Sequence, residues 1–343
     1  MTQFVQGLKK TAIATAILSF STVASATIVT SVKPLGFIAS SIADGITDTE
    51  VLVPAGASPH DYSLKPSDVQ KLKSAEMVVW IGEDVDAFLD KSIDDLDYKK
   101  VLTIKDIAAI EPFLLKGEHH HHHHGEGEAH EDHAHEGHHH DHEKHEHKHE
   151  EQDHKHEHAG HEHHHDHDHE DLGVNWHVWY SPDISKSVAQ RIAAKLIKQY
   201  PEKKEQIEKN VAEFNRTLDE QSAKIKTQLE SVKDKGFYVF HDAYGYFNQA
   251  YGLNQTGYFT INPLVAPGAK TLVKIKEEIA EHKVNCLFAE PQFTPKVIES
   301  LSKGTQVNVG RLDPMGDAVK LGVNSYAAFL QFTADSYAQC LAK

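Results

Sequence analysis

Short runs of β-branched and aromatic residues alternate with amphipathic segments along most of the chain. The runs are typical of buried strands, and the amphipathic segments indicate helices packed on one face. The predicted strands are 28–32, 50–53, 77–81, 100–102, 237–240, 285–288 and 306–309, and the predicted helices are 33–44, 67–75, 84–93, 270–282, 294–303 and 317–338. Because strands that alternate with helices form parallel sheets, the pattern predicts an α/β fold. A long polar segment separates two such sets unequally, so we expect two α/β lobes.

The part of the chain that precedes the second set predicts mostly helix. Ser181 is a favoured N-cap residue and Pro182 suits the first helical position of a segment that ends before Pro201. Over 202–233, apolar residues recur at spacings of three and four. At 1.5 Å per residue, this second helix would extend over roughly 45 Å. Two interpretations stay open: a spine that joins the lobes, or an ordinary surface helix of the second lobe.

The first residues have the three parts of a secretory signal. Lys9 and Lys10 form a basic flank, 11–23 is a short apolar core, and the A-x-A sequence at 24–26 is typical of a cleavage site. The apolar core is too short to span a membrane. We therefore expect cleavage near residue 26 and a mature chain outside the cytoplasm. The alternative is a retained helical anchor.

The polar segment that separates the two sets is rich in histidine. It contains 25 of the 29 histidines of the chain, between His119 and His169. Residues 118–171 also hold 18 acidic residues against three lysines, so they carry almost all of the net charge of −16. Imidazole is the commonest metal-binding side chain and suits zinc, copper and nickel. The composition therefore predicts that the segment binds transition metals.

This segment has two other interpretations. An expression tag would place six histidines at a terminus, whereas the run at 119–124 is internal and is followed by 19 more histidines. A solvated linker fits better, because a segment with almost no apolar residues cannot offset the entropy of ordering. We accept this part and expect a metal-binding segment that is disordered without metal. Composition does not decide whether it is the main site or an accessory.

These features divide the chain into four predicted parts. They are a signal peptide at 1–26, an N-terminal α/β lobe at 27–180 that contains the disordered loop 118–171, a helical part at 181–233 with the linking helix, and a C-terminal α/β lobe at 234–343.

Cys286 and Cys340 are the only cysteines of the chain. An even pair in an exported protein favours one disulfide, which would tie the C-terminal helix to a strand. The alternative is two free buried thiols.

Four histidines lie outside the histidine-rich segment, and three of them stand where a site is expected. His60 follows a predicted strand, His241 ends another, and His177 precedes a predicted helix start. Ligand groups gather at the carboxyl ends of strands in α/β sheets, and three imidazoles suit zinc with a fourth position left for water or a carboxylate. From spacing alone this is a weak signal. His282 lies near the end of a charged helix and is assigned no function.

Five ordered motifs make the signal specific. They are GASPHDYSLKPSD, NWHVWYSP, VFHDAYGYF, LFAEPQF and RLDPMGD. In this order they resemble the motifs of the metal-binding proteins of ABC importers, in particular the periplasmic zinc-binding subfamily of high-affinity zinc uptake systems. The resemblance spans essentially the whole mature chain, and the acidic histidine-rich insertion is typical of the same subfamily.

The resemblance implies two Rossmann-like lobes joined by a long rigid helix, with one metal in the cleft between them. It implies His60, His177 and His241 as ligands. The fourth position is open, because Asp313 matches the aspartate of manganese-type relatives and water takes that place in some zinc-type members. Pro59 stands where some zinc relatives have an acidic ligand, Asp61 is a substitute in charge only, and Glu290 is expected to be structural.

The resemblance also implies partners and a role. The partners are an ABC permease in the membrane with its cytoplasmic ATPase, and the chain is expected to be a monomer that does not bind nucleic acid. Three histidines and at most one carboxylate favour zinc over manganese or calcium, although copper and nickel also bind imidazole. Binding is expected to weaken below about pH 6.5 because protons compete for imidazole.

The histidine-rich loop, His119 to His169, is then expected to be an accessory that holds zinc weakly near the cleft. Three other functions are alternatives: an enzyme with catalytic zinc, a periplasmic metal buffer, and a manganese importer component. The enzyme is disfavoured because the sequence offers no paired base and nucleophile, and the buffer because it would need only the loop.

Overall fold

The structure is a computed structural model that describes residues 27–116, 173–260, 263–281, 283–293, 296–303, 305 and 307–343. The predicted signal at 1–26, the histidine-rich loop at 119–169 and His282 lie outside the described residues. The chain divides into two units, one formed by the segments up to Leu115 and from Asn175, the other by Lys116–Val174. In the second unit, Lys116 and Val174 form an isolated antiparallel bridge. All further description concerns the first unit.

The first sheet contains four parallel strands in the order β2-β1-β3-β4. They are β1 (Thr27–Thr30), β2 (Asp48–Val51), β3 (Met77–Trp80) and β4 (Val101–Thr103). The helices of this lobe are α1 (Lys33–Ile42), α2 (Pro66–Ser74), α3 (Glu83–Asp86) and α4 (Asp90–Asp94), followed by a 3-10 helix at Ala108–Phe113. β2 begins two residues before its predicted start, because Asp48 pairs with Thr27 at the beginning of β1.

The single helix predicted over 84–93 is wrong. The structure has α3, a 3-10 turn at Ala87–Leu89 and α4 in its place. Asp86 leaves the helical region, with φ −104° and ψ 39°. Its buried carboxylate accepts hydrogen bonds from Ser31 Oγ (2.6 Å) and from the backbone N–H of Ile81 (2.8 Å). The helix therefore breaks where this side chain turns back to the strand ends.

The second sheet is also parallel, in the order β6-β5-β7-β8. Its strands are β5 (Phe237–His241), β6 (Gln255–Thr260), β7 (Cys286–Ala289) and β8 (Asn308–Arg311). Its helices are α7 (Gly245–Tyr251), α8 (Ala269–Ala280), α9 (Lys296–Ser302) and α10 (Ser325–Leu341), while α5 (Pro182–Gln199) and α6 (Lys204–Leu229) precede it. Two four-stranded parallel sheets with flanking helices confirm the predicted α/β fold with two lobes.

The sequence pattern missed two elements of this lobe and misplaced a third. β6 is a half-buried edge strand whose Gly257 looks like a turn residue, yet the Tyr238 ring lies 2.6 Å from where a Cβ of Gly257 would be. α7 has only seven residues and ends at Gly252, which has φ 71°. α10 begins at Ser325 instead of 317 because Gly322, with φ 156°, keeps the preceding segment out of the helix.

α6 contacts elements of both lobes, which confirms the spine interpretation. It has 26 residues and extends over about 39 Å at 1.5 Å per residue. Near its start, Asn210 Nδ2 donates to the carbonyl oxygens of Ile42 and Asp44 at the end of α1, both at 2.9 Å. Near its end, Gln228 Nε2 donates to Asp335 Oδ1 of α10 at 2.8 Å. The boundaries of the four predicted parts stay predictions.

α10 provides a second connection between the lobes. Its Phe329 ring lies 5.3 Å from Phe37 of α1 and stacks on Tyr180 at 5.0 Å, measured between ring centroids. Its far end is fixed to the second sheet by the predicted disulfide between Cys286 and Cys340, which the structure confirms with a Cα–Cα separation of 6.1 Å. Among the described residues, no helix is both long enough and apolar enough to cross a membrane.

Loss of the disulfide is expected to destabilise the protein. The bond closes a sequence separation of 54 residues, for which the loop-entropy estimate is about 4 kcal/mol and measured values are typically about 2–4 kcal/mol. The double variant Cys286→Ser, Cys340→Ser should lose this free energy of unfolding in denaturant titrations. A reductant should shift the wild-type transition and leave the double variant unchanged. Equal unfolding free energies for both proteins would contradict the expectation.

Candidate metal centre

His60 lies on the loop that follows β2, at the carboxyl end of the first sheet. The backbone N–H of His60 donates to the Oγ of buried Ser58 at 3.3 Å. On the same loop, the N–H of Gly56 donates to Asp317 Oδ2 at 2.6 Å, and Asp317 belongs to the segment that follows β8 in the second lobe. The loop that carries His60 is therefore attached to both lobes.

His177 directly precedes the 3-10 turn Val178–Tyr180 that leads into α5. Asn175 Oδ1 accepts from the backbone N–H of His177 (3.0 Å) and lies 2.9 Å from its ring Nδ1. The amide orientation of Asn175 is fixed, because its Nδ2 donates to the carbonyl oxygen of Asp242 at 2.8 Å. An oxygen facing Nδ1 requires the proton on Nδ1, so the lone pair of His177 is on Nε2.

His241 is the last residue of β5 and is only 3% exposed. Its Nδ1 lies 2.8 and 2.9 Å from the two carboxylate oxygens of Glu290, which follows β7. The hydroxyl of Tyr244 donates to Glu290 Oε1 at 3.2 Å. Since a carboxylate accepts hydrogen bonds, Nδ1 of His241 carries a proton and Nε2 presents its lone pair. Glu290 thus fixes the tautomer of the His241 ring.

The three imidazoles converge through the same ring atom. Nε2 of His177 lies 3.4 Å from Nε2 of His60 and 3.3 Å from Nε2 of His241. One nitrogen from each ring lies within 4.8 Å of the other two. Among the described residues, these three side chains form a group that could hold a metal ion. Tetrahedral zinc with Zn–N bonds of about 2.0–2.1 Å separates its nitrogen ligands by about 3.3–3.4 Å. The spacing fits this geometry.

The site is small and largely apolar around the histidines. The cavity has a volume of about 10 Å³, and its other lining residues include Pro59, Trp179, Phe293 and Met315. Removal from water disfavours the charged imidazolium form. Burial, followed by the charge of His241, lowers the pKa of His60 to about 4, and burial followed by the charges of His241 and His60 lowers the pKa of His177 well below its usual value. His60 and His177 are therefore neutral, which is the form that binds metal.

Other carboxylates considered in the sequence do not join the three histidines. Asp313 Oδ1 accepts from Gln292 Nε2 (2.9 Å) and from the N–H of Met315 (3.0 Å), while its Oδ2 accepts from the N–H of Asp317 (2.7 Å). Both oxygens of Asp313 are thus occupied by Gln292 and by backbone groups of its own loop. Asp61 is exposed, and Pro59 lines the cavity without offering a ligand atom.

Sequence reasoning missed Asn175, Trp179 and Gln292, which the structure brings to the site. All three lie within the quoted motifs NWHVWYSP and LFAEPQF, each within two residues of His177 or Glu290. Their position close to the candidate residues was the available signal.

Comparison with known proteins connects this geometry to a family. The family described as ZnuA, zinc-uptake complex component A, periplasmic, matches residues 28–340. The chain belongs to this family. Its periplasmic character confirms the predicted location.

Individual members of the ZnuA family agree with this result. The "High-affinity zinc uptake system protein ZnuA" of Haemophilus influenzae is 73% identical, covering 98% of this chain and 99% of the relative. The protein of the same description from Yersinia pestis is 42% identical, covering 97% and 98%.

Solved structures share the fold. A ZnuA crystal structure is 21% identical with a TM-score of 0.67, covering 92% of this chain and 99% of that chain. The periplasmic zinc-binding protein TroA from Treponema pallidum is 18% identical with a TM-score of 0.69, covering 93% and 100%. Family membership agrees with a solute-binding protein that serves transport, as the sequence motifs indicate.

The Glu290→Gln substitution is expected to weaken metal binding. It keeps the shape of the side chain but replaces the carboxylate that accepts from His241 Nδ1 with a neutral amide, and loss of such a partner typically lowers metal affinity about 10- to 100-fold. Competition with a zinc chelator measures the effect. Glu299→Gln, on the exposed side of α9, is the control that should bind as wild type does. Equal affinities for all three proteins would contradict this role of Glu290.

The stability of the metal-free protein should fall as the pH drops from about 6.5 to about 4. The unfolded chain binds a proton at His60 near its ordinary pKa of 6.5, whereas the folded chain binds it only near 4, so protons favour unfolding in this window. His60→Gln removes this titration, and its unfolding free energy should gain about 3 kcal/mol relative to wild type across the window. Chemical unfolding at pH 7, 5.5 and 4 provides the comparison. Parallel pH profiles would count against the neutral, buried state of His60.

Proposed function

We propose that His60, His177 and His241 capture one Zn²⁺ in the cleft through their Nε2 atoms. The observation that carries this proposal is the Nε2–Nε2 spacing of 3.3 and 3.4 Å, which suits tetrahedral zinc. Asn175 and Glu290 hold two of the rings in the tautomer that a metal needs. The chain is the periplasmic component of a high-affinity zinc uptake system, and zinc is its cargo.

The chemistry of the site favours zinc over other divalent ions. Manganese and calcium prefer sites rich in oxygen, whereas the described group is made of three nitrogens. The carboxylate that would supply an oxygen, Asp313, is taken up by Gln292 and by two backbone N–H groups. Copper and nickel bind imidazole well but often favour a square arrangement. The converging tetrahedral spacing therefore supports zinc against both.

Delivery requires a membrane partner. We propose that an ABC permease with its cytoplasmic ATPase receives the zinc, and that the chain acts as a monomer without nucleic acid. A catalytic role is not part of the proposal. Ser58 is the described residue with a hydroxyl group that lines the cavity. Its hydroxyl oxygen accepts from the backbone N–H of His60, whereas an activated nucleophile would be paired with a ring nitrogen.

The histidine-rich loop at 119–169 is proposed as an accessory that binds zinc weakly and supplies it to the cleft. Its many imidazoles bind transition metals, and the strong negative charge of 118–171 attracts divalent cations. Tethering would give its ions an effective concentration on the order of millimolar near the protein. There are two alternatives. A metal buffer would bind metal mainly through the loop, and a manganese importer component would have a cleft site that prefers manganese.

Deletion of 119–169 and substitution of His241 separate the two sites. The deleted protein should keep one tight zinc site that prefers zinc over manganese, and it should lose several weaker sites. Adding His241→Ala should lower the affinity of the tight site by on the order of 100-fold or more, because losing a ligand exceeds the loss of its hydrogen-bond partner. Calorimetry with chelator competition measures both.

Two results would contradict the proposal. Loss of the tight site on deletion of 119–169 would assign it to the loop, and preference for manganese would remove the zinc assignment. Growth of a strain with the chromosomal gene removed, rescued in low zinc by wild type but not by His241→Ala, would tie the site to uptake and not to buffering.

A further inference from the structure

Two buried polar atoms beside the three histidines have no hydrogen-bond partner among the described residues. They are the indole Nε1 of Trp179, a donor, and the amide Oε1 of Gln292, an acceptor. Trp179 is 1% exposed, and both residues line the same small cavity as the histidines. A buried polar atom without a partner typically costs about 1–3 kcal/mol. A donor and an acceptor left open at one cavity indicate a ligand that satisfies both.

The orientation of Gln292 is determined by its other half. Its Nε2 donates to Asp313 Oδ1 at 2.9 Å, and a carboxylate oxygen can only accept. The amide oxygen is therefore the atom left without a partner. Trp179 is held in place as well, because its ring packs edge-on against the ring of His177 with centroids 5.2 Å apart. Neither atom can find a partner through a simple flip of its side chain.

The same contact explains what Asp313 does. Its two oxygens receive N–H groups from Gln292, Met315 and Asp317, so the carboxylate is held in the loop that follows β8. Gln292 itself lines the cavity and offers a neutral carbonyl oxygen. A neutral acceptor suits a metal-bound water, because zinc makes its water a strong hydrogen-bond donor.

The size of the cavity limits the ligand. Its volume of about 10 Å³ is close to the smallest space that holds one water molecule. A zinc ion held by three nitrogens would keep one tetrahedral corner open for a further ligand. A water molecule or hydroxide is the ligand that fits this volume and can both donate and accept.

We propose that Gln292 and Trp179 hold the fourth, exogenous ligand of the zinc ion, a water molecule or hydroxide that donates to Gln292 Oε1 and accepts from Trp179 Nε1–H. Gln292 at the same time keeps Asp313 off the metal. This inference rests on the proposed zinc site at His60, His177 and His241 and names the group that completes it. Gln292 and Trp179 are positioning residues, since they contact the ligand of the metal and not the metal itself.

The experiment compares Gln292→Met, Gln292→Glu and Trp179→Phe in the full chain with one equivalent of zinc. Gln292→Met removes both the acceptor and the contact with Asp313, whereas Gln292→Glu removes the donation to Asp313 but keeps an oxygen that faces the ligand. Gln292→Met should weaken zinc binding about 10-fold, and Trp179→Phe should also weaken it, while Gln292→Glu should bind at least as tightly as wild type. Melting of the zinc-free proteins checks that each variant is folded.

A role through Asp313 alone would change zinc binding in the same direction in Gln292→Met and Gln292→Glu, because both remove the donation to Asp313, and this distinguishes it from holding the ligand. A crystal structure of the wild-type protein with zinc should show a non-protein oxygen on the metal, within about 3 Å of Gln292 Oε1 and Trp179 Nε1. Asp313 on the metal, or unchanged affinity in both Gln292→Met and Trp179→Phe, would overturn the inference. Either result would leave the proposed zinc site in place. The proposed function itself would be wrong if the wild-type chain had no tight zinc site, or if His241→Ala did not weaken that site.

Discussion

Three imidazoles must converge through Nε2, with that of His177 3.4 Å from His60 and 3.3 Å from His241, and most features of the structure serve this requirement. Charged rings at this distance would repel each other strongly in a cavity that excludes water. Burial keeps the protons off, as the lowered pKa values of His60 and His177 indicate. Burial does not choose the ring atom that faces the metal, and Asn175 and Glu290 make that choice by accepting from Nδ1. Desolvation and tautomer are thus controlled by different groups.

The three rings come from distant parts of the chain, so their spacing depends on how rigidly the lobes are joined. His60 belongs to the first lobe, His241 to the second, and His177 precedes α5. α6 forms hydrogen bonds with the end of α1 through Asn210 and with α10 through Gln228. α10 is itself packed on α1 through Phe329 and bonded to β7 through Cys340. A displacement of one lobe would strain these connections before it separated the ligands.

The sequence predicted what depends on local pattern and failed where distant contacts decide. Buried strands and the long helix α6 carry strong periodicity, and His60, His177 and His241 lie in motifs that mark them. β6 was missed because Gly257 makes room for the Tyr238 ring, a neighbour that the local pattern does not reveal. The helix break at Asp86 comes from Ser31, 55 residues earlier in the chain. The partnership of Gln292 with Asp313 joins two loops in the same way.

The fourth position of the metal determines how the site can both hold and release its cargo. With Asp313 kept in its loop and water as the exogenous ligand, the ion would meet three imidazoles, a neutral oxygen and, behind His241, the carboxylate of Glu290. A single negative charge leaves the bound ion only partly compensated, whereas a second carboxylate on the metal would bind it more strongly and favour oxygen-preferring ions. An exogenous ligand is also the one that an incoming donor can replace without moving the protein. An exogenous ligand held by Gln292, in place of a carboxylate bound to the metal, therefore suits a protein that must release its zinc to a partner.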